Sequence, residues 1–243
     1  MNSIPSSSKT EEARIHEAYK NRHGEQRYSW FSSGHLFLIQ EREREIIRLL
    51  RKKGIDSFDH LQILEVGCGE GYWIRQFINW GARPENINGV DLLPLRVDEA
   101  RRLCPDGVRV ECGSATNLKY PDQTFDLIHQ STVFSSVLDW DMKKAIASEM
   151  QRVLKADGLI LWYDFHMDNP KNPDVQGVKK AEIFQLFPEY RVELRRITLA
   201  PPVARIMAKY SLFTCYLLER LKVINTHYLG VIQRKDVDGG KSD

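Results

Sequence analysis

Leu61-Gln62-Ile63-Leu64-Glu65-Val66-Gly67-Cys68-Gly69-Glu70-Gly71-Tyr72-Trp73-Ile74-Arg75-Gln76-Phe77 reads as a strand, a glycine turn and a helix. Residues without a Cβ let the chain turn tightly and let a ligand approach the main-chain amides at a helix start, where unpaired N–H groups accumulate. This is the sequence of a nucleoside-cofactor site. A dinucleotide fingerprint calls for G-x-G-x-x-G, but Tyr72 follows Gly71, so the pattern is G-x-G-x-G preceded by Glu65.

A second apolar run, Ile87 to Val90, ends in Asp91, twenty positions after Gly71. A carboxylate at the tip of a second strand is placed to accept hydrogen bonds from both ribose hydroxyls. Together with Phe125-Asp126-Leu127-Ile128 and Val153-Leu154-Lys155-Ala156-Asp157-Gly158, these segments resemble the class I S-adenosylmethionine-dependent methyltransferases, over about Ile46 to Tyr163. The resemblance implies S-adenosyl-L-methionine as cofactor. It also implies an α/β fold with a doubly wound, mostly parallel seven-stranded sheet (Rossmann-like), here with a helical cap.

The alternation of patterns agrees with that fold. Strands are expected near 61–66, 87–91, 108–112, 125–130 and 158–164, with helices near 71–80, 94–103 and 141–155. Met142, Ile146, Met150, Val153 and Leu154 form one buried helical stripe. A helix near 177–187, a strand at 191–199, an insert at 200–225 and a last strand at 226–233 follow. The closing pair resembles the family's final hairpin, whose last strand runs antiparallel. An earlier helix, about 37–53, sets Ile46, Ile47, Leu49 and Leu50 on an apolar side and Glu41-Arg42-Glu43-Arg44-Glu45 on a solvated one.

The 243 residues, 42% of them apolar, suit one domain with appendages. We expect disordered tails at 1–12 and 236–243 around a single domain at 13–235, with a cap at about 13–45 and a lid insert at about 200–225. Lys and Arg exceed Asp and Glu by only 35 to 33, so no global positive charge points to nucleic acid. The four cysteines show no C-x-x-C spacing and the start of the chain has no apolar signal core. A cytoplasmic protein with reduced thiols is the expectation.

In an open α/β sheet the ligand lies beyond the carboxyl ends of the strands. This rule selects Gly67, Gly69 and Gly71 for the methionyl end and Asp91 with Leu92 for ribose and adenine. It also selects Ser114 and Ala115 after the third strand, and Gln130 and Ser131 after the fourth. The resemblance implies that Glu65 orients the cofactor's amino group. Ser114 departs from the acidic residue many family members have there. As general bases for an oxygen acceptor, His166 and His129 sit at strand ends; His129 is also open to reading as a packing residue inside the sheet. Asp164-x-His166-x-Asp168 admits a metal reading, but no fourth ligand is evident and we assign no metal.

Tyr28, Trp30 and His35 before the first core helix, and Tyr210 in the insert, are expected around the acceptor. The insert's run Tyr210 to Leu218 is too short to span a bilayer. With Arg205, Lys209, Arg220 and Lys222 around it, it reads as a lid, as a packed helix, or as a peripheral membrane contact through 203–222. Gln130-Ser131-Thr132-Val133 stands where base-amino methyltransferases carry Asn/Asp-Pro-Pro-Tyr/Phe. That counts against a base-amino acceptor; the expected reaction is O-methylation of a small-molecule, glycan or lipid-linked acceptor, with RNA or protein methylation, or non-catalytic cofactor binding, as alternatives.

Overall fold

The computed structural model describes residues 6–20, 29–170 and 172–235. Seven strands form one sheet: β1 (Ile63–Val66), β2 (Ile87–Asp91), β3 (Arg109–Cys112), β4 (Phe125–Ser131), β5 (Leu154–Phe165), β6 (Tyr190–Leu199) and β7 (Asn225–Arg234). Their spatial order is β3-β2-β1-β4-β5-β7-β6. The first five pair in parallel, and β7 runs antiparallel to both β5 and β6. The expected doubly wound sheet with its closing antiparallel strand is therefore present.

Two helical layers cover the sheet because successive strand residues point to opposite faces. Leu159, Leu161 and Tyr163 of β5 join the layer of α2 (Ser33–Lys52), α3 (Tyr72–Asn79) and α4 (Pro94–Leu103). Ile160 and Trp162 join the opposite layer of α1 (Ser6–Lys20), α5 (Trp140–Val153) and α6 (Lys180–Leu186). The expected stripe of α5 is buried, and Asp139 caps the helix by accepting from the Met142 N–H at 2.7 Å. This helix ends at Val153, two residues short of expectation. Leu154 already pairs with Phe125, and a register shift before Leu127 lets β5 begin early.

Two other expectations fail at the amino-terminal side. The tail expected over 1–12 is helical from Ser6 onward, because tertiary partners hold α1 to the body. Glu11 accepts the Leu138 N–H, and Arg14 bonds both Glu11 and the Ser136 carbonyl. The charge run of α2 is not wholly solvated either: Glu41 is buried, and the Arg42 guanidinium lies 4.5 Å from the Trp73 ring centroid and 4.7 Å from that of Tyr163.

The insert forms α7 (Pro201–Met207) and α8 (Leu212–Leu221), packed on α2 around Phe37, Leu199, Ala204, Ala208 and Cys215. Gly34 permits this contact, since a Cβ there would stand 2.5 Å from the Arg205 Cα. Where α2 meets α8, burial and then the carboxylates of Glu219 and Glu45 push Glu41 up to about 8. A raised carboxyl contributes stability that is complete below its unfolded pKa, near 4.5, and is lost as pH rises through 8. Glu41→Gln should therefore match the parent near pH 4.5 and exceed it by about 3 kcal/mol at pH 8. Parallel denaturation curves across that range would refute the buried charge.

Candidate functional site

The chain bends three times at the carboxyl end of β1, with Gly67 at φ 68°, Gly69 at 54° and Gly71 at 72°. Gly67 N–H and Cys68 N–H both donate to the Val90 carbonyl, at 2.8 and 3.0 Å, which ties the turn to β2. The left-handed conformation of Gly67 is one that side chains resist. A Cβ there would also meet Val133 Cγ2 at 2.4 Å, so the first glycine closes the turn against the end of β4.

Asp91 organises the loop. One of its oxygens accepts the Gly69 N–H at 2.8 Å and the other accepts the Leu93 N–H at 2.9 Å. A carboxylate oxygen has more than one acceptor position, so both keep capacity for ribose hydroxyls. Leu92, Ala115 and Val133, which follow β2, β3 and β4, are each partly buried against one apolar cluster. Ser114 instead turns inward on its loop, sharing a 2.9 Å hydrogen bond with the Thr116 hydroxyl.

Glu65 is buried below the turn, where the Ile74 N–H of α3 reaches it. Burial, and then the nearby Asp91 charge, raises its pKa well above the usual carboxylate range. Among the described residues its Oε2 has no hydrogen-bond partner. Gln130 is likewise fully buried: its Oε1 accepts from the Val133 N–H at 3.2 Å, and its Nε2 has no partner among the described residues. An orphaned acceptor and an orphaned donor at the ends of β1 and β4, around a glycine cradle, fit a polar ligand that satisfies both. Ser131 is half-buried, and Thr132 beyond it has φ 60°, rare for a β-branched residue. That bend is held by the Thr132 N–H donating to the Tyr163 carbonyl at 2.8 Å.

Neither histidine expected as a base is placed for that role. The ring of His129 lies on the α3 side of the sheet, 5.1 Å from Trp73 and 5.6 Å from Phe77 between centroids. Its Nδ1 is 3.7 Å from Glu65, yet burial pushes its pKa down to about 3, so the two groups do not form an ion pair. His166 turns away from β4: its Nε2 lies 2.9 Å from the Asn225 carbonyl, and its ring stacks on Tyr228, both in β7. Burial lowers its pKa, offset in part by the Asn225 contact. No group of three or more histidines, cysteines or carboxylates among the described residues has metal-binding geometry, Asp164, His166 and Asp168 included.

The acceptor-side residues separate. Trp30 and His35 come together, edge to face at 5.5 Å, and Trp30 stacks 6.2 Å from Tyr72 at the start of α3. Burial and the charges of Arg42 and Arg205 lower the pKa of His35. Tyr210, by contrast, is 83% exposed. Tyr28 lies outside the described residues. The site also contains residues that sequence reasoning missed. Tyr19 of α1 has its ring 4.4 Å from the Arg96 guanidinium of α4 and its hydroxyl 3.2 Å from Ser136 Oγ, so α1 lies across the ligand edge of the sheet. A lone tyrosine in a polar stretch gave no signal. Arg42 was hidden by its alternating charged neighbours.

Comparison with known proteins accords with this geometry. The methyltransferase-domain family profile matches residues 63–158. The chain is 31% identical over 103 residues to a malonyl-[acyl-carrier protein] O-methyltransferase of Serratia marcescens, covering 42% of this chain and 37% of that one. It is 30% identical over 138 residues to the uncharacterised methyltransferase YcgJ of Bacillus subtilis, covering 54% and 50%. A solved structure, the putative sarcosine dimethylglycine methyltransferase of Galdieria sulphuraria, shares the fold with a TM-score of 0.61 at 15% identity, over 81% and 86%. Residues 63–158 thus match the methyltransferase-domain family, and the fold is one this chain shares with solved methyltransferase structures. The chain spans half or less of the length of these curated relatives.

Proposed function

We propose that this protein transfers a methyl group from S-adenosylmethionine to an oxygen of a small-molecule, glycan or lipid-linked acceptor. The observation that carries the reading is Asp91, which fixes Gly69 and Leu93 while keeping acceptor capacity at the ribose position. The cofactor, when bound, supplies a methyl group on a positively charged sulfur. Asp91 would hold its ribose, Leu92 and Ala115 its adenine, and Glu65 and the glycine turn its methionyl end. Gln130 and Ser131 would border the sulfonium. Methyl transfer is an in-line displacement, so orientation of donor and acceptor and exclusion of water carry much of the rate. Helix α1, with Tyr19 against Arg96, is the element that would exclude water. An oxygen acceptor is favoured by the likeness to the Serratia relative, which is named as an O-methyltransferase.

Incubation of the protein with labelled S-adenosylmethionine and cell extract, with products sorted into lipid, small molecule, glycan, nucleic acid and protein, tests the acceptor class. Labelled nucleic acid or protein, or cofactor binding with no labelled product, would replace this reading. With its ring on β7, His166 is not asked to take a proton: His166→Ala should change turnover by less than about threefold and leave cofactor affinity intact. A fall of about 10²–10⁴ in turnover at unchanged affinity would restore it as the base.

A further inference from the structure

The outward face of α8 is apolar. Leu212, Phe213, Tyr216, Leu217 and Leu221 are exposed at i, i+1, i+4, i+5 and i+9, a continuous stripe, while Cys215 on the other side is buried. A helix at the surface of a water-soluble protein sets its polar face outward. Here Phe213 is 76% exposed, and Tyr210 and Val223, at either end of the helix, are 83% and 75% exposed, so the stripe extends into a patch.

The charges around the patch are mostly cationic. Arg205, Lys209, Arg220 and Lys222 belong to residues 201–224, and Glu219 is the single acid there. Glu219 is turned inward, accepting from the Asn225 Nδ2 at 3.2 Å. Arg44 of α2 adds another cation at the edge, donating to the Tyr216 hydroxyl at 2.9 Å. Burying this face against a second copy would bring two such cationic rims together across a two-fold axis, which like-charge repulsion opposes. A surface that is apolar inside and anionic at its rim complements it. Lipid acyl chains under acidic headgroups have that layout, and tyrosines suit the boundary between them. No helix among the described residues is long and apolar enough to cross a membrane, and α8 has 10 residues, so the element lies along the interface.

We propose that α7 and α8 dock the protein on anionic phospholipid membranes, with Phe213 and Leu217 entering the acyl boundary and Lys209, Arg220 and Lys222 against the headgroups. This holds whatever the methyl acceptor is. The test is flotation of the full chain with vesicles of phosphatidylcholine containing about one-third phosphatidylglycerol. Binding is expected there, and it should be weaker by about tenfold or more on pure phosphatidylcholine or at about 0.5 M salt. Phe213→Glu with Leu217→Glu should lower binding by about tenfold or more, with melting temperature and S-adenosylmethionine affinity unchanged. Absence of flotation, binding insensitive to the double substitution, or vesicle-free dimerisation that the substitution abolishes would each overturn the proposal. The last result would assign the face to a second copy.

Discussion

Asp91→Ala should weaken S-adenosylmethionine binding by about 2–4 kcal/mol, a factor of about 30 to 1,000, because two hydrogen bonds from ribose hydroxyls to a charged acceptor disappear together. The same substitution frees the Gly69 and Leu93 N–H groups, which donate to the two Asp91 oxygens. The unliganded protein should therefore also lose about 1–2 kcal/mol of stability. Asp91→Asn separates the two effects: its single amide oxygen keeps one backbone acceptor, while the charge that strengthens the ribose contacts is gone. Calorimetric titration of each folded variant, beside its denaturation curve, checks both. Parent-like affinity in folded Asp91→Ala would show that the cofactor lies elsewhere.

Gly67→Ala should cost about 2–4 kcal/mol of stability and abolish measurable cofactor binding at ordinary concentrations. Two terms add: the left-handed backbone at φ 68° resists a Cβ, at about 1–2 kcal/mol, and the new methyl group would lie 2.4 Å from Val133 Cγ2. Gly54 supplies the control, since its φ is 80° but a Cβ there meets nothing within 4 Å. Gly54→Ala should show the backbone cost alone and leave cofactor affinity unchanged. Adding Val133→Ala to Gly67→Ala should recover the contact part of the loss, so a double-mutant cycle should give a favourable coupling of about 1 kcal/mol or more. Additive effects would mean that the turn does not close on β4 through this contact.

The sheet and much of the cofactor edge were legible in the sequence because their causes are local. Alternation and short apolar runs mark strands, and a turn that needs left-handed backbone selects glycine. An acidic residue at the tip of the second strand is set by chain length alone, so Asp91 stands beside Gly69 as the spacing predicts. The four-residue repeat of Met142, Ile146 and Met150 likewise fixed the face that α5 buries.

Orientation and long-range pairing were decided only by the tertiary structure. His166 has the right strand end, but β7 returns beside β5 and offers the Asn225 carbonyl and the Tyr228 ring, which turn the imidazole away from β4. Burial of His129 among Trp73 and Phe77 follows from the packing of α3, not from its own neighbours in sequence. Residues 6–20 carry too little apolar surface to announce a helix, yet contacts to residues 136 and 138, more than a hundred positions away, hold α1 in place. In the same way Glu41-Arg42-Glu43 looks like solvated surface until α8 and the aromatic rings of α3 and β5 close over its first two members. Periodicity and turn chemistry are encoded residue by residue. Which polar group ends up buried, paired or facing the ligand depends on partners that the chain brings near only when it folds.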